Sequence, residues 1–147
     1  GTQSYVVAKE FEVDMYIQTS HATRIDEGAI DGLTHLPRLL WGDWMKELST
    51  FKYAVNLMPT VAAGTFSLNC AYFGIPCIGN EKVDTQNDCQ FLSSVDVDDV
   101  AEAVHLAKKL LQDENFYKDC SNYALKESHS EYSVETFNKY MIEELEK

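Results

Sequence analysis

Between residues 34 and 80, apolar runs of strand length alternate with segments of helical length, and no other feature of this chain constrains its fold as much. The run THLPRLLWG, 34–42, contains Pro37, which has no N–H to give to a ladder and so belongs at a strand edge or end. Asp43 then stands where it can cap a helix that turns Trp44, Met45 and Leu48 inward at steps of three and four. YAVNLMP, 53–59, is a second apolar run. GTFSLNCAYFG, 64–74, is helical in length and closes on a glycine, and PCIGN follows at once as a buried strand. The order is β-α-β-α-β, and right-handed crossovers make such a run a parallel sheet with both faces covered. The expected class is therefore α/β, a Rossmann-like parallel sheet with helices on both faces and further helices at the C-terminus.

The flanks extend this frame. SYVVAKEF, 4–11, suits a short helix, and alternation of Val13, Met15 and Ile17 within 12–20 suits a strand. From His21 to Leu33 there is no sustained period, so a surface loop is expected, and 81–90, EKVDTQNDCQ, reads as a polar turn. FLSSVD is a candidate last strand. Asp96 is placed to cap a helix in which Val97, Val100, Ala103, Val104, Ala107, Leu110 and Leu111 recur at steps of three and four, with acids early and Lys108 and Lys109 late. Asp113 starts another helix with Phe116, Tyr117, Cys120 and Ala124 inward, and Ser133 caps a final one bearing Phe137, Tyr140, Met141 and Leu145. No internal repeat and no linker interrupts 147 residues, a length suited to one domain, so 1–147 is read as a single α/β domain.

Charge and cysteine usage narrow the function. Twenty-four acids against 12 bases give a formal charge of −12, which repels a phosphodiester backbone and argues against a nucleic-acid partner. The largest share of the excess falls in the C-terminal third, where solvated helix faces account for it. The 4 cysteines form no C-x-x-C pair and no zinc spacing, so no metal is signalled and reduced core thiols are expected. With no signal peptide and no apolar run of membrane-spanning length, the expected location is cytoplasmic, with no membrane span. Gly1 reads as a cloning remnant, and the chain is expected to begin inside its domain.

The chemistry points to the turn TVAAGTFSLN, which brings Gly64, Thr65 and Ser67 to the start of a helix. Unpaired N–H groups and a partial positive charge face outward there, and glycine lets an anion approach, so a diphosphate can dock, helped by two hydroxyls. The same residues also suit an ordinary tight β-α turn. A second polar cluster, Asn80, Lys82, Asp84, Thr85, Gln86 and Asn87, follows a strand end and falls on the same rim. It reads either as a sugar or pyrophosphate contact or as a solvated loop. His21, just past the first strand, is placed for a catalytic or base contact, although a lone loop histidine is usually neither; His105 and His129 read as surface positions. Trp41 and Trp44 suit packing better than stacking on a base.

From Trp41 to about Tyr132 the order of parts resembles the C-terminal, nucleotide-sugar-binding domain of two-domain GT-B glycosyltransferases. The resemblance rests on a strand ending in Pro59-Thr60, a turn and helix with Gly64 and Phe66, the G-x-P of Gly74-Ile75-Pro76, an acid-capped helix from Asp96 and a following helix with an early aromatic. It implies a nucleoside diphosphate sugar as donor substrate, with no further cofactor. It places phosphate contacts on Ala63, Gly64, Thr65 and Phe66, beside Ser67. Two glutamates of the family fall on Val61 and Asn69; Asn69 can still donate and accept at a ribose hydroxyl, whereas Val61 cannot do a carboxylate's electrostatic work. The basic pair that clamps a diphosphate has no counterpart before residue 40, where Lys9, Arg24 and Arg38 are scattered. The family's N-terminal acceptor domain, which would carry the acceptor-side catalytic residues, is then a missing partner, and this piece alone is expected to be inactive. Two other readings stay open: a non-catalytic binding or regulatory module, receiver-like or flavodoxin-like, and half of a nucleotide-sugar epimerase. The sugar, the base, the acceptor and the identity of any catalytic residue are not legible.

Overall fold

A computed structural model describes residues 2–18 and 30–147. The first segment is a helix, α1 (Thr2–Ala8), tightened into a 3-10 turn over Lys9–Phe11 and closed by Glu12 in the left-handed region at φ 54°. Next come β1 (Met15–Gln18) and β2 (Leu33–Leu36), paired in parallel with Met15 opposite Leu33 and Gln18 opposite Leu36. β2 stops one residue short of Pro37, as a missing N–H requires. The expected loop includes one residue that is strand, Leu33; its stretch from residue 21 to 29, with His21 and Arg24, lies outside the described residues, as do the last two residues of the expected strand, 19 and 20.

The order of elements over 34–80 is as expected, β2, α2 (Trp41–Leu48), β3 (Ala54–Asn56), α3 (Thr65–Tyr72), β4 (Cys77–Asn80), but not as one sheet: among the described residues β2 pairs with β1 in a two-stranded sheet of its own and not with β3 or β4. The capping of α2 differs from expectation. Leu40 is the N-cap with no side-chain hydrogen bond, and Asp43 lies inside the first turn, where it pairs with Lys46 at 3.5 Å. β3, β4 and β5 (Ser94–Val95) form one parallel sheet in that order, with Val55 opposite Ile78 and Asn80 opposite Val95.

Strand residues alternate between faces, and each face of this sheet has its own core. Ile78 and the half-buried Val55 join Val7 of α1, Phe11 of the 3-10 turn that follows it, Leu57, and Ala103, Leu106, Ala107 and Leu110 of α5 (Val100–Gln112). Ala54 and Cys77 point the other way, into Leu48, Cys70 and Ile75 with Trp44, Met45 and Phe66 around them. The chain is thus a Rossmann-like α/β fold. α6 (Glu114–Glu131) serves both sides: Cys120 enters the first core, and Ala124 packs with Ala71 and Cys89 in a third cluster. Gly74 makes that contact possible, since its φ of 67° ends α3 and a Cβ there would strike Ser121 and Leu125 of α6. All four cysteines are buried and free, and burial pushes the thiols of Cys70, Cys89 and Cys120 up, Cys120 to about 11.

The stretch expected to be a polar turn is instead a helix, α4 (Asp84–Cys89), followed by a 3-10 turn, Phe91–Ser93, and only two residues of strand. Side chains replace the strand that is too short. The amide of Gln90 accepts from Cys77 N at 3.2 Å and donates to Ile75 O at 3.0 Å, as a neighbouring backbone would. Gln86 Nε2 and Ser93 Oγ both donate to Cys77 O at 2.8 Å. A short apolar helix could not have met these carbonyls, and leaving one buried and unmet costs about 1–3 kcal/mol.

Two of the three expected C-terminal caps hold. Asp113 accepts from Phe116 N at 3.0 Å to open α6, and Ser133 accepts from Thr136 N at 3.0 Å to open α7 (Val134–Leu145). Asp96 does not cap α5. Asp99 does, accepting from Glu102 N at 3.0 Å, while Asp96 accepts from Asp98 N in the turn before it. Leu111 of α5 remains over a third exposed instead of joining the core.

Candidate phosphate-binding rim

In a parallel sheet every strand points the same way, so the turns leaving β3, β4 and β5 gather on one rim. Turn 57–64 leads to α3, turn 81–83 to α4 and turn 96–99 to α5. Buried Asn80 joins the first two: its Nδ2 donates to Met58 O at 2.9 Å, and its Oδ1 accepts from Lys82 N at 3.0 Å. The second and third are joined by Lys82 and Asp96, 3.5 Å apart. Asp96 is an exposed carboxyl held below its usual range first by the Asp98 N–H and then by Lys82.

At the head of α3, Gly64 occupies the left-handed region with φ 71° and ψ 39°. Its carbonyl accepts from Thr85 Oγ1 at 2.6 Å and from Leu68 N at 3.2 Å. A Cβ on Gly64 would overlap Thr85 Oγ1 and Val83 Cγ1, so the glycine is demanded by the approach of α4 and by its own backbone angle. No side chain caps α3, and among the described residues nothing accepts from the N–H groups of Thr65, Phe66 and Ser67. Three donors in a row at a helix start, carrying the positive end of its dipole, are what an anionic group needs.

The side chains named from the sequence divide sharply. Ala63 and Thr65 are exposed on the rim beside Gly64. Phe66 turns back to stack on Trp44, with ring centroids 6.4 Å apart, and so belongs to the second core. Ser67 is buried and donates to Gln86 Oε1 at 2.8 Å, so its hydroxyl is used inside the protein. Thr85 and Gln86 are buried too, and with Asn80 they form scaffolding instead of the solvated cluster that the composition of 80–87 suggests. Asp84, Asn87 and Lys82 are exposed. Asn69 is half-buried on α3, and Val61 is 62% exposed on the rim, an apolar side chain where a carboxylate is expected. Trp41 is exposed at the start of α2, and His105 and His129 are surface residues, the latter stacked on Tyr72.

Sequence reasoning missed the internal role of Gln86 and Gln90. The one signal available was their spacing of four within a stretch that has no glycine or proline. Among the described residues no group of His, Cys, Asp and Glu is arranged to hold a metal ion, and no helix is long and apolar enough to cross a membrane. No family model, no curated protein and no solved structure matches this chain.

Proposed function

We propose that this chain is the donor-binding half of a GT-B glycosyltransferase, taking the diphosphate of a nucleoside diphosphate sugar on the N–H groups that open α3. The observation that carries the reading is the uncapped first turn at Thr65, Phe66 and Ser67, standing on the rim of a parallel sheet. In the transfer, the bond between the sugar's anomeric carbon and the diphosphate oxygen breaks, and a bond to an acceptor hydroxyl forms. The electron pair leaves with the diphosphate, and the acceptor's proton goes to a base that this chain does not identify. Fixed N–H donors stabilise the charge growing on the departing oxygens and need no reorganisation at that moment. Thr85 and Asn80 hold the turns that place those donors, through Gly64 O and Met58 O.

A second reading, a non-catalytic binding or regulatory module, is favoured by the internal use of Ser67, Thr85, Gln86 and Asn80, which takes four of the expected ligand side chains away from the rim. Titration of the chain with UDP, GDP and their sugars, followed by amide NMR, separates the two. The first reading expects shifts at 64–67, and roughly tenfold weaker binding in Ala63→Glu, whose added carboxylate competes for the helix start. Because Ala63 is exposed, that variant should melt with the parent. Absence of any response to all four ligand classes supports the module instead.

A further inference from the structure

The last helix is amphipathic with its apolar side turned away from its own chain. Thr136 faces inward, its hydroxyl donating to Ser130 O at 2.5 Å, and no residue of α7 is buried. On the outer side Val134, Phe137, Met141 and Leu145 follow steps of three and four, so they line one stripe, and they are 70%, 63%, 45% and 81% exposed. Ile142 and Tyr140 widen the stripe on either side, each about half exposed. A contiguous apolar strip of this kind marks an interaction surface.

Charge selects the occupant. Segment 133–147 holds four glutamates and two lysines, and both lysines are already paired, Lys139 with Glu143 and Lys147 with Glu144. Glu135 and Glu146 have no cationic partner among the described residues. At 100° per residue they fall together along the edge beyond Ile142. A second copy would bring the same acidic edge and a net −12 against itself, and anionic lipid headgroups would be repelled in the same way. We propose that α7 docks on a protein surface whose apolar groove receives Val134, Phe137, Met141 and Leu145, and whose rim presents lysine or arginine to Glu135 and Glu146.

Two fluorescent synthetic helical peptides with the same leucine-rich face, one flanked by Lys and Arg and the other by Glu, test this on the full chain. The basic peptide is expected to bind roughly tenfold tighter than the acidic one, with amide shifts centred on α7. Phe137→Ser with Leu145→Ser should abolish binding, and Glu135→Lys with Glu146→Lys should reverse the preference. All four side chains are exposed, so an unchanged amide spectrum elsewhere verifies that the variants fold. Equal affinity for the two peptides, no binding, or binding that survives the serine pair overturns the proposal. So does a dimer in sedimentation that Phe137→Ser dissolves, or co-sedimentation with phosphatidylserine vesicles.

Discussion

The turns that leave β3 and β4 reach the same rim, yet they offer a ligand opposite things. Between the exposed hydroxyls of Thr60 and Thr65, the β3 turn shows solvent only the apolar Val61, Ala62 and Ala63, and then three free backbone N–H groups. The β4 turn is rich in hydrogen-bonding side chains, and Asn80, Thr85 and Gln86 point all of theirs inward. Polar composition is therefore a poor guide to which turn can bind. A side chain that completes a short sheet has already met its partners, whereas a helix start keeps its donors free whatever residues carry them.

Mutations on the two sides should break or sharpen this contrast. The largest effect is expected from Gln86→Leu, which strands the Ser67 hydroxyl and weakens the pairing of Cys77 O in a fully buried site. A loss of about 3 kcal/mol in urea unfolding is expected, and a loss under about 1 would mean the joint is not structural. Gly64→Ala comes next, about 2 kcal/mol, because it combines a left-handed backbone with overlap on Thr85 and Val83. Ala63→Gly, one residue earlier and exposed, should change stability little, and a large loss there would show that the β3 turn is as built-in as the β4 turn.

Smaller effects separate the two aspartates before α5. Asp99→Ala should cost about 1 kcal/mol in thermal or urea unfolding, the usual worth of an N-cap, and Asp96→Ala clearly less. Asp96 is the one with a pH signature. Its carboxyl titrates lower when folded than when unfolded, so the stability it adds is present above the unfolded value and fades as pH falls through the folded one. The acid limb of the stability profile should flatten slightly in Asp96→Asn, and high salt should mimic part of that change by screening Lys82.

Much of the architecture was legible because it depends on short-range pattern. The β-α-β-α-β order over 34–80, the stop at Pro37, the ends of α3 on Gly64 and Gly74 and the caps at Asp113 and Ser133 all follow from local chemistry that acts within a turn or a strand. The misreadings share a cause. Asp43, Asp96 and Asp99 are all cap residues by type, and only the register at which packing starts each helix decides which of them is used. Likewise 84–89 has the composition of a loop, and it is helical because Gln86 and Gln90, one turn apart, reach the carbonyls that β5 is too short to meet.

The candidate site divides along the same line. Gly64 was visible as a turn residue, and the placement of 65–67 at a helix start followed from it. Inward use of Ser67 and Thr85 was not visible, since a hydroxyl's partner 19 or 21 positions away is set by how α3 and α4 pack.

By itself the sequence determined the class of fold, the places where elements begin and end through glycine and proline, and an acidic surface, because backbone angles, missing N–H groups and formal charge belong to residues wherever they sit. Only the tertiary structure decided which polar groups are spent inside, which amides stay open on the rim and which helix keeps its apolar face in water. Those are properties of pairs of elements brought together, and a buried hydrogen bond or an uncovered stripe exists only once both sides are in place.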